Sequence, residues 1–164
     1  MIALRCTRKL LKRLKLPAKL PEPPAPTNAL GHWYGNTLNV GRERFILLTS
    51  ERSLLSVIVP ARDLAHLPER LANAVWKQFL ALEIDQAIVE REIEAMHEVI
   101  YASTASRAVL GAMNLFAIHA DDHLYDGILS LDEIAWRLNE TPMKPLKFSY
   151  PREVARELLT LPHH

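Results

Sequence analysis

Trp33-Tyr34-Gly35-Asn36-Thr37-Leu38-Asn39-Val40 opens a run, residues 33–59, whose reading decides the fold class. Three segments of it, 33–40, 44–50 and 54–59, are rich in β-branched, aromatic or aliphatic side chains. Gly41-Arg42-Glu43 and Glu51-Arg52-Ser53 separate them as short polar turns, so the run predicts an antiparallel meander. Phe45-Ile46-Leu47-Leu48 is apolar without a break, the pattern of a strand covered on both faces. Pro60 ends the third strand.

Upstream, Ile2 to Cys6 reads as a short strand, and Thr7 as the N-cap of a helix. Leu10, Leu11 and Leu14 stripe that helix, and Arg8, Lys9, Lys12, Arg13 and Lys15 surround the stripe. Five of the eleven prolines fall in residues 17–26, which predicts a stiff, extended connector that does not pack.

Downstream of residue 63 the apolar spacing turns helical. Leu64, Leu67, Leu71, Val75, Phe79 and Leu82 form one core-facing stripe, and Ile84, Ile88, Ile93, Met96 and Ile100 a second. Glu90, Arg91, Glu92, Glu94 and Glu98 are assigned to the wet faces of that second helix. A third helix is expected over about residues 105–120; Gly111 weakens it and suggests a close helix crossing. Ser130 with Glu133 three residues on is a capping box for a fourth. Residues 146–150 look extended, and Pro151 suits the first position of a last helix.

The expected fold is therefore α+β, a small antiparallel meander packed against a bundle of four or five helices. One domain over 1–164 is expected, with a basic strand–helix leader (1–16), a proline-rich connector (17–26), the meander (27–62) and a mainly helical part (63–164).

Composition agrees and excludes several classes. Of 164 residues 49% are apolar and 24% charged, enough to close a core and unlike a disordered chain. No apolar run approaches the roughly 20 residues that cross a bilayer, so no membrane span is expected. The lone cysteine, Cys6, permits no internal disulfide and suits a reducing cytoplasm. Basic residues recur to Lys19 without an apolar h-region, so no secretory signal is read and the chain is expected to be unprocessed. The formal charge of +1 hides a split. Residues 1–20 hold seven basic and no acidic side chains, +7; the other 144 hold 13 basic and 19 acidic ones, −6.

Several blocks resemble an uncharacterised bacterial family, a domain of unknown function. They are Leu4-Arg5-Cys6-Thr7-Arg8-Lys9-Leu10-Leu11, Leu30-Gly31-His32-Trp33-Tyr34-Gly35-Asn36, the meander over 45–59, Ser106-Arg107-Ala108-Val109-Leu110-Gly111-Ala112-Met113-Asn114, and Leu138-Asn139-Glu140-Thr141-Pro142. The resemblance spans nearly the whole chain. It carries no activity with it, and implies only that the basic first helix is integral to the domain.

Four groups of residues are candidates for function. Arg5, Arg8, Lys9, Lys12, Arg13 and Lys15 can neutralise phosphates or meet an acidic protein partner. Against that stands a plain alternative, in which the leucines dock and the cations lie on the chain's own acidic body. Trp33 and Tyr34 alternate sides of a strand, so one faces the core; the other, if exposed beside Asn36, Arg42 and Arg44, can stack a base or bind a partner, although sheet packing is the favoured reading of both aromatics. Arg107 and Asn114, seven residues apart, share a helix face that suits a phosphate or carboxylate. His119, Asp122 and His123, with Asp121 and Asp126 nearby, are the densest set of metal-ligand types. They lack the glutamate of a zinc-protease motif, and a polar helix end before Gly127 explains the same residues. No cofactor, phosphate loop or serine-hydrolase elbow is read, and Cys6 is weighed as a helix-start thiolate against a buried strand-end thiol. The leading function is a non-enzymatic binding module; the alternative is a small metal-dependent hydrolase or nuclease.

Overall fold

A computed structural model describes residues 1–161. Strand β1 (Ile2–Cys6) leads into helix α1 (Arg8–Arg13), and the meander follows as β2 (Trp33–Val40), β3 (Glu43–Ser50) and β4 (Ser56–Pro60). Next come α2 (Leu67–Ala81), α3 (Gln86–Ala95), β5 (Val99–Ser103), α4 (Arg107–Asp126), α5 (Leu131–Leu138) and α6 (Pro151–Thr160). Short 3₁₀ turns at Leu64–His66 and Lys144–Leu146 complete the described elements.

The meander forms as its turns predict, β2 against β3 and β3 against β4, both antiparallel. It is only part of the sheet. Five strands run in the order β4-β3-β2-β1-β5, and β1 lies parallel to both neighbours, with Leu4 opposite Trp33 and Tyr101. The small antiparallel meander is thus corrected to a mixed five-stranded sheet. Strand β5 was hidden because Ile100 extends the 3–4-residue spacing of Ile93 and Met96. Helix α3 stops at Ala95, and Val99-Ile100-Tyr101 is drawn into pairing with β1.

The helices do not gather in one bundle. Leu10 and Leu11 of α1, Phe79 of α2, Val89 of α3 and Leu159 of α6 share a core with Leu4, Trp33 and Leu48. On the other side Val109, Met113 and Phe116 of α4 and Ile134 of α5 pack with Tyr34, Leu47 and Ile58. Trp33 and Tyr34 belong to opposite cores and both are buried, so neither ring is exposed. A sheet covered on both faces leaves no wet side for an alternating strand.

The proline segment packs after all. Leu20 N–H donates to Ser103 Oγ at 3.1 Å, and Glu22 pairs with Arg5. Ala3 N–H donates to His32 Nδ1 at 2.8 Å, which leaves the ring proton on Nε2, 3.0 Å from the Pro24 carbonyl it serves. Proline has no N–H, but its carbonyl remains a full acceptor, and the strap is tied through it.

Glu92 is a second correction, since it lies inside among wet neighbours. Its carboxylate accepts from Asn28 Nδ2 at 2.7 Å, Ala29 N–H at 2.9 Å and Leu30 N–H at 3.2 Å. A buried carboxylate is tolerable only with such donors. Residues 146–150 are no strand. Lys147 and Phe148 adopt left-handed backbone angles, and a Met143–Ser149 bridge closes the loop. The capping box at Ser130 and Pro151 at the start of α6 are as expected. Among the described residues no helix is long and apolar enough to cross a membrane.

Candidate functional site

Helix α1 is positioned from the sequence upward. Thr7 caps it, and the same hydroxyl donates to Asn36 Oδ1 at 2.8 Å while Thr7 N–H reaches the Gly35 carbonyl at 3.1 Å. Leu10 and Leu11 are buried against the sheet. Gly35 makes that approach possible: a Cβ there would lie 2.9 Å from Leu10 Cδ2 and 3.3 Å from Leu48 Cδ2. The helix ends where Lys15 takes a left-handed φ of 59° and Leu16 N–H returns to the Leu11 carbonyl at 3.0 Å. Lys12 and Arg13 occupy the last turn, where cations suit the helix dipole.

The candidate cations divide into two kinds. Arg5 is buried on β1, donates to the Ser103 carbonyl at 2.8 Å and is neutralised by Glu22. Its hydrogen bond holds the Glu22 carboxyl below the ordinary carboxylate range. Arg5 is therefore a strut of the fold, with its charge satisfied internally. Arg8, Lys9, Lys12 and Lys15 are exposed and Arg13 half-buried. Among the described residues none of these five forms an ion pair with a carboxylate. The helix docks by its leucines, as the plain alternative requires, yet no carboxylate among the described residues lies within ion-pair distance of its cations.

Asn36 is half-buried, and its Oδ1 also accepts from Thr37 N–H at 2.8 Å, so that oxygen is committed to holding α1. Tyr34 Oη accepts from Ser106 N–H at 3.0 Å, tying β2 to the start of α4. With Trp33 buried too, base stacking by this pair is ruled out on access. Arg107 and Asn114 are exposed on α4, so the asparagine points outward and serves no buried backbone group.

Helix α4 runs to Asp126, six residues past the expected end, and carries His119, Asp121, Asp122 and His123 within it. His119 and Asp122 are exposed and His123 half-buried. Among the described residues no three His, Cys, Asp or Glu side chains are placed to hold a metal ion. Cys6 is buried, and burial pushes its thiol up to about 12, so it stays protonated and the thiolate option lapses.

Two cavities flank α1. A groove of about 630 Å³ places Lys9 together with Leu38, Ile118, Asp121 and Asp122. A second, of about 460 Å³, sets Arg13, Lys15 and Tyr101 between the apolar walls of Leu14, Leu16 and Leu64. Burial raises the Tyr101 phenol above its usual range, so it remains a hydrogen-bond donor. Arg13 Nη1 is buried there without a partner, although Nη2 donates to the Ala61 carbonyl at 3.3 Å. Tyr101 escaped the sequence reading because its strand did; its aromatic character next to Val99-Ile100 was the available signal.

Comparison with known proteins adds a family and nothing about chemistry. No curated protein matches the chain, and no solved structure does. The chain belongs to the family described as Domain of unknown function (DUF6933), whose profile matches residues 3–154.

Proposed function

We propose that this member of the DUF6933 family is a non-enzymatic binding module that engages nucleic acid through the exposed face of α1. The observation that supports it most is that Arg8, Lys9 and Lys12, on a helix clamped by Leu10 and Leu11, and Lys15 just beyond its end form no ion pair with a carboxylate among the described residues. Clamping removes backbone freedom before binding, and unpaired cations have no internal partner to give up. Release of counterions from phosphates then drives association without reading sequence. The burial of Trp33 and Tyr34 favours contact with the phosphate backbone over base stacking by that pair. A lone buried cysteine with its proton retained suits the cytoplasm of a bacterium, where we place it.

The test is titration of a fluorescent duplex and a single strand with the full chain at several salt concentrations. Four phosphate contacts predict a loss of about a hundredfold in affinity between roughly 50 and roughly 200 mM salt. Arg8→Glu with Lys12→Glu removes most of the binding at low salt. No complex at low salt with either oligonucleotide overturns the reading. A complex indifferent to the double charge reversal moves the contact away from α1. Co-purification of an acidic protein instead replaces nucleic acid as the partner.

A further inference from the structure

Helix α4 carries an unpartnered face directly opposite its buried one, and that face is self-complementary. Val109, Met113 and Phe116 point into the core, while Arg107, Gly111, Asn114, Ile118 and Tyr125 line the outer side at three- and four-residue steps. Ile118 is 71% and Tyr125 78% exposed, large apolar side chains on a helix whose inward packing is complete. Gly111 sits amid them, and a Cβ at Gly111 would meet nothing within 4 Å. No neighbour among the described residues therefore requires the glycine, and the helix crossing its presence suggested does not occur among them. The charges are also reversed from the order a lone helix favours. Arg107 opens α4 and no acid stands in its first turn, while Asp121, Asp122 and Asp126 lie toward its carboxyl end.

We infer that α4 pairs antiparallel with α4 of a second copy of this chain, about a two-fold axis passing between Asn114 and Leu115. Gly111 and Ile118 straddle that midpoint symmetrically, and so do Arg107 and Asp122. One alignment thus seats Ile118 of each copy in the hollow over Gly111 of the other. The same alignment sets Arg107 of each copy against Asp122 of the other. Such an isologous contact satisfies both features twice, as closed two-fold symmetry demands. It also opposes the two helix dipoles and brings each misplaced charge to its opposite. The stripe over residues 107–125 is about 27 Å long, the length of an ordinary helix–helix seam. Lys9 shares a groove with Asp121 and Asp122 but forms no ion pair with either among the described residues, leaving Asp122 open to the partner's Arg107.

The decisive experiment is a charge swap read by sedimentation equilibrium of the full chain, from micromolar to high micromolar concentration. Wild type is expected to shift from the mass of one chain to that of two. Arg107→Asp alone and Asp122→Arg alone each weaken association tenfold or more, because like charges then face each other twice. An equimolar mixture of the two variants restores it, since every facing pair in the mixed dimer is again opposite in sign. Gly111→Leu fills the hollow and leaves single chains with an unchanged helical circular-dichroism spectrum. Single-chain mass for wild type throughout, or association unmoved by the reversals, or a mixture no better than its components, overturns the pairing.

Discussion

Helices α1 and α4 stand on opposite faces of the same sheet and bury their apolar sides equally well, yet their outer sides differ. The six-residue α1 shows water only cations and the stems that carry them. The twenty-residue α4 shows Ile118 and Tyr125 between its charges. A wholly charged face is stable in solvent and attractive to a polyanion. An apolar stripe rimmed by charge leaves hydrophobic area unburied until another protein surface covers it. The glycines tell the same story. Gly35 is required by Leu10 above it, whereas nothing among the described residues requires Gly111.

The largest effect that sharpens this contrast comes from truncating one aliphatic side chain on each helix, the buried Leu10 of α1 and the exposed Ile118 of α4. Leu10→Ala should cost about 2–5 kcal/mol in urea unfolding, because Leu10 is wholly buried under α1. Ile118→Ala should change the stability of the single chain by no more than about 0.5 kcal/mol. Equal losses at both would break the distinction between a docked and an unpartnered face.

The glycines give a smaller effect of opposite sign. Gly35→Ala forces Leu10 and Leu48 aside and should destabilise by about 1–3 kcal/mol. Gly111→Ala, measured at dilutions where single chains dominate, should stabilise by up to about 1 kcal/mol through helix propensity. Thermal unfolding followed by circular dichroism separates the two.

The smallest effect concerns the strap that holds β1, and hence α1, in place. Arg5 lowers the Glu22 pKa in the folded chain, so the contribution is present above the unfolded value and lost as pH falls through the folded one. Stability should therefore decline on the acid side of the ordinary carboxylate range, and Glu22→Gln should flatten that part of the profile. Glu22 is itself solvated, so the change is modest.

Much of α1 was legible in the order of residues. Thr7, the leucine spacing and the cations all act through neighbours within a turn or two. The opposite holds for Glu92, which shares its stretch with Glu90, Arg91 and Glu94 and has the same local signature. Only the amides of Asn28 to Leu30, some sixty residues away, make its burial possible. Arg5 reads as one more member of the basic cluster, and only Glu22 and the Ser103 carbonyl reveal it as a strut.

By itself the sequence determined the meander, the core-facing stripe of α2, the caps at Thr7 and Ser130, and the basic character of α1. Each depends on periodicity, turn chemistry or charge among residues close in the chain. Tertiary structure alone decided that β1 lies between β2 and β5, that Trp33 and Tyr34 are both covered, and which cations stay unpaired. Those outcomes rest on contacts between distant segments, and burial is a property of what arrives from elsewhere, which no local pattern encodes.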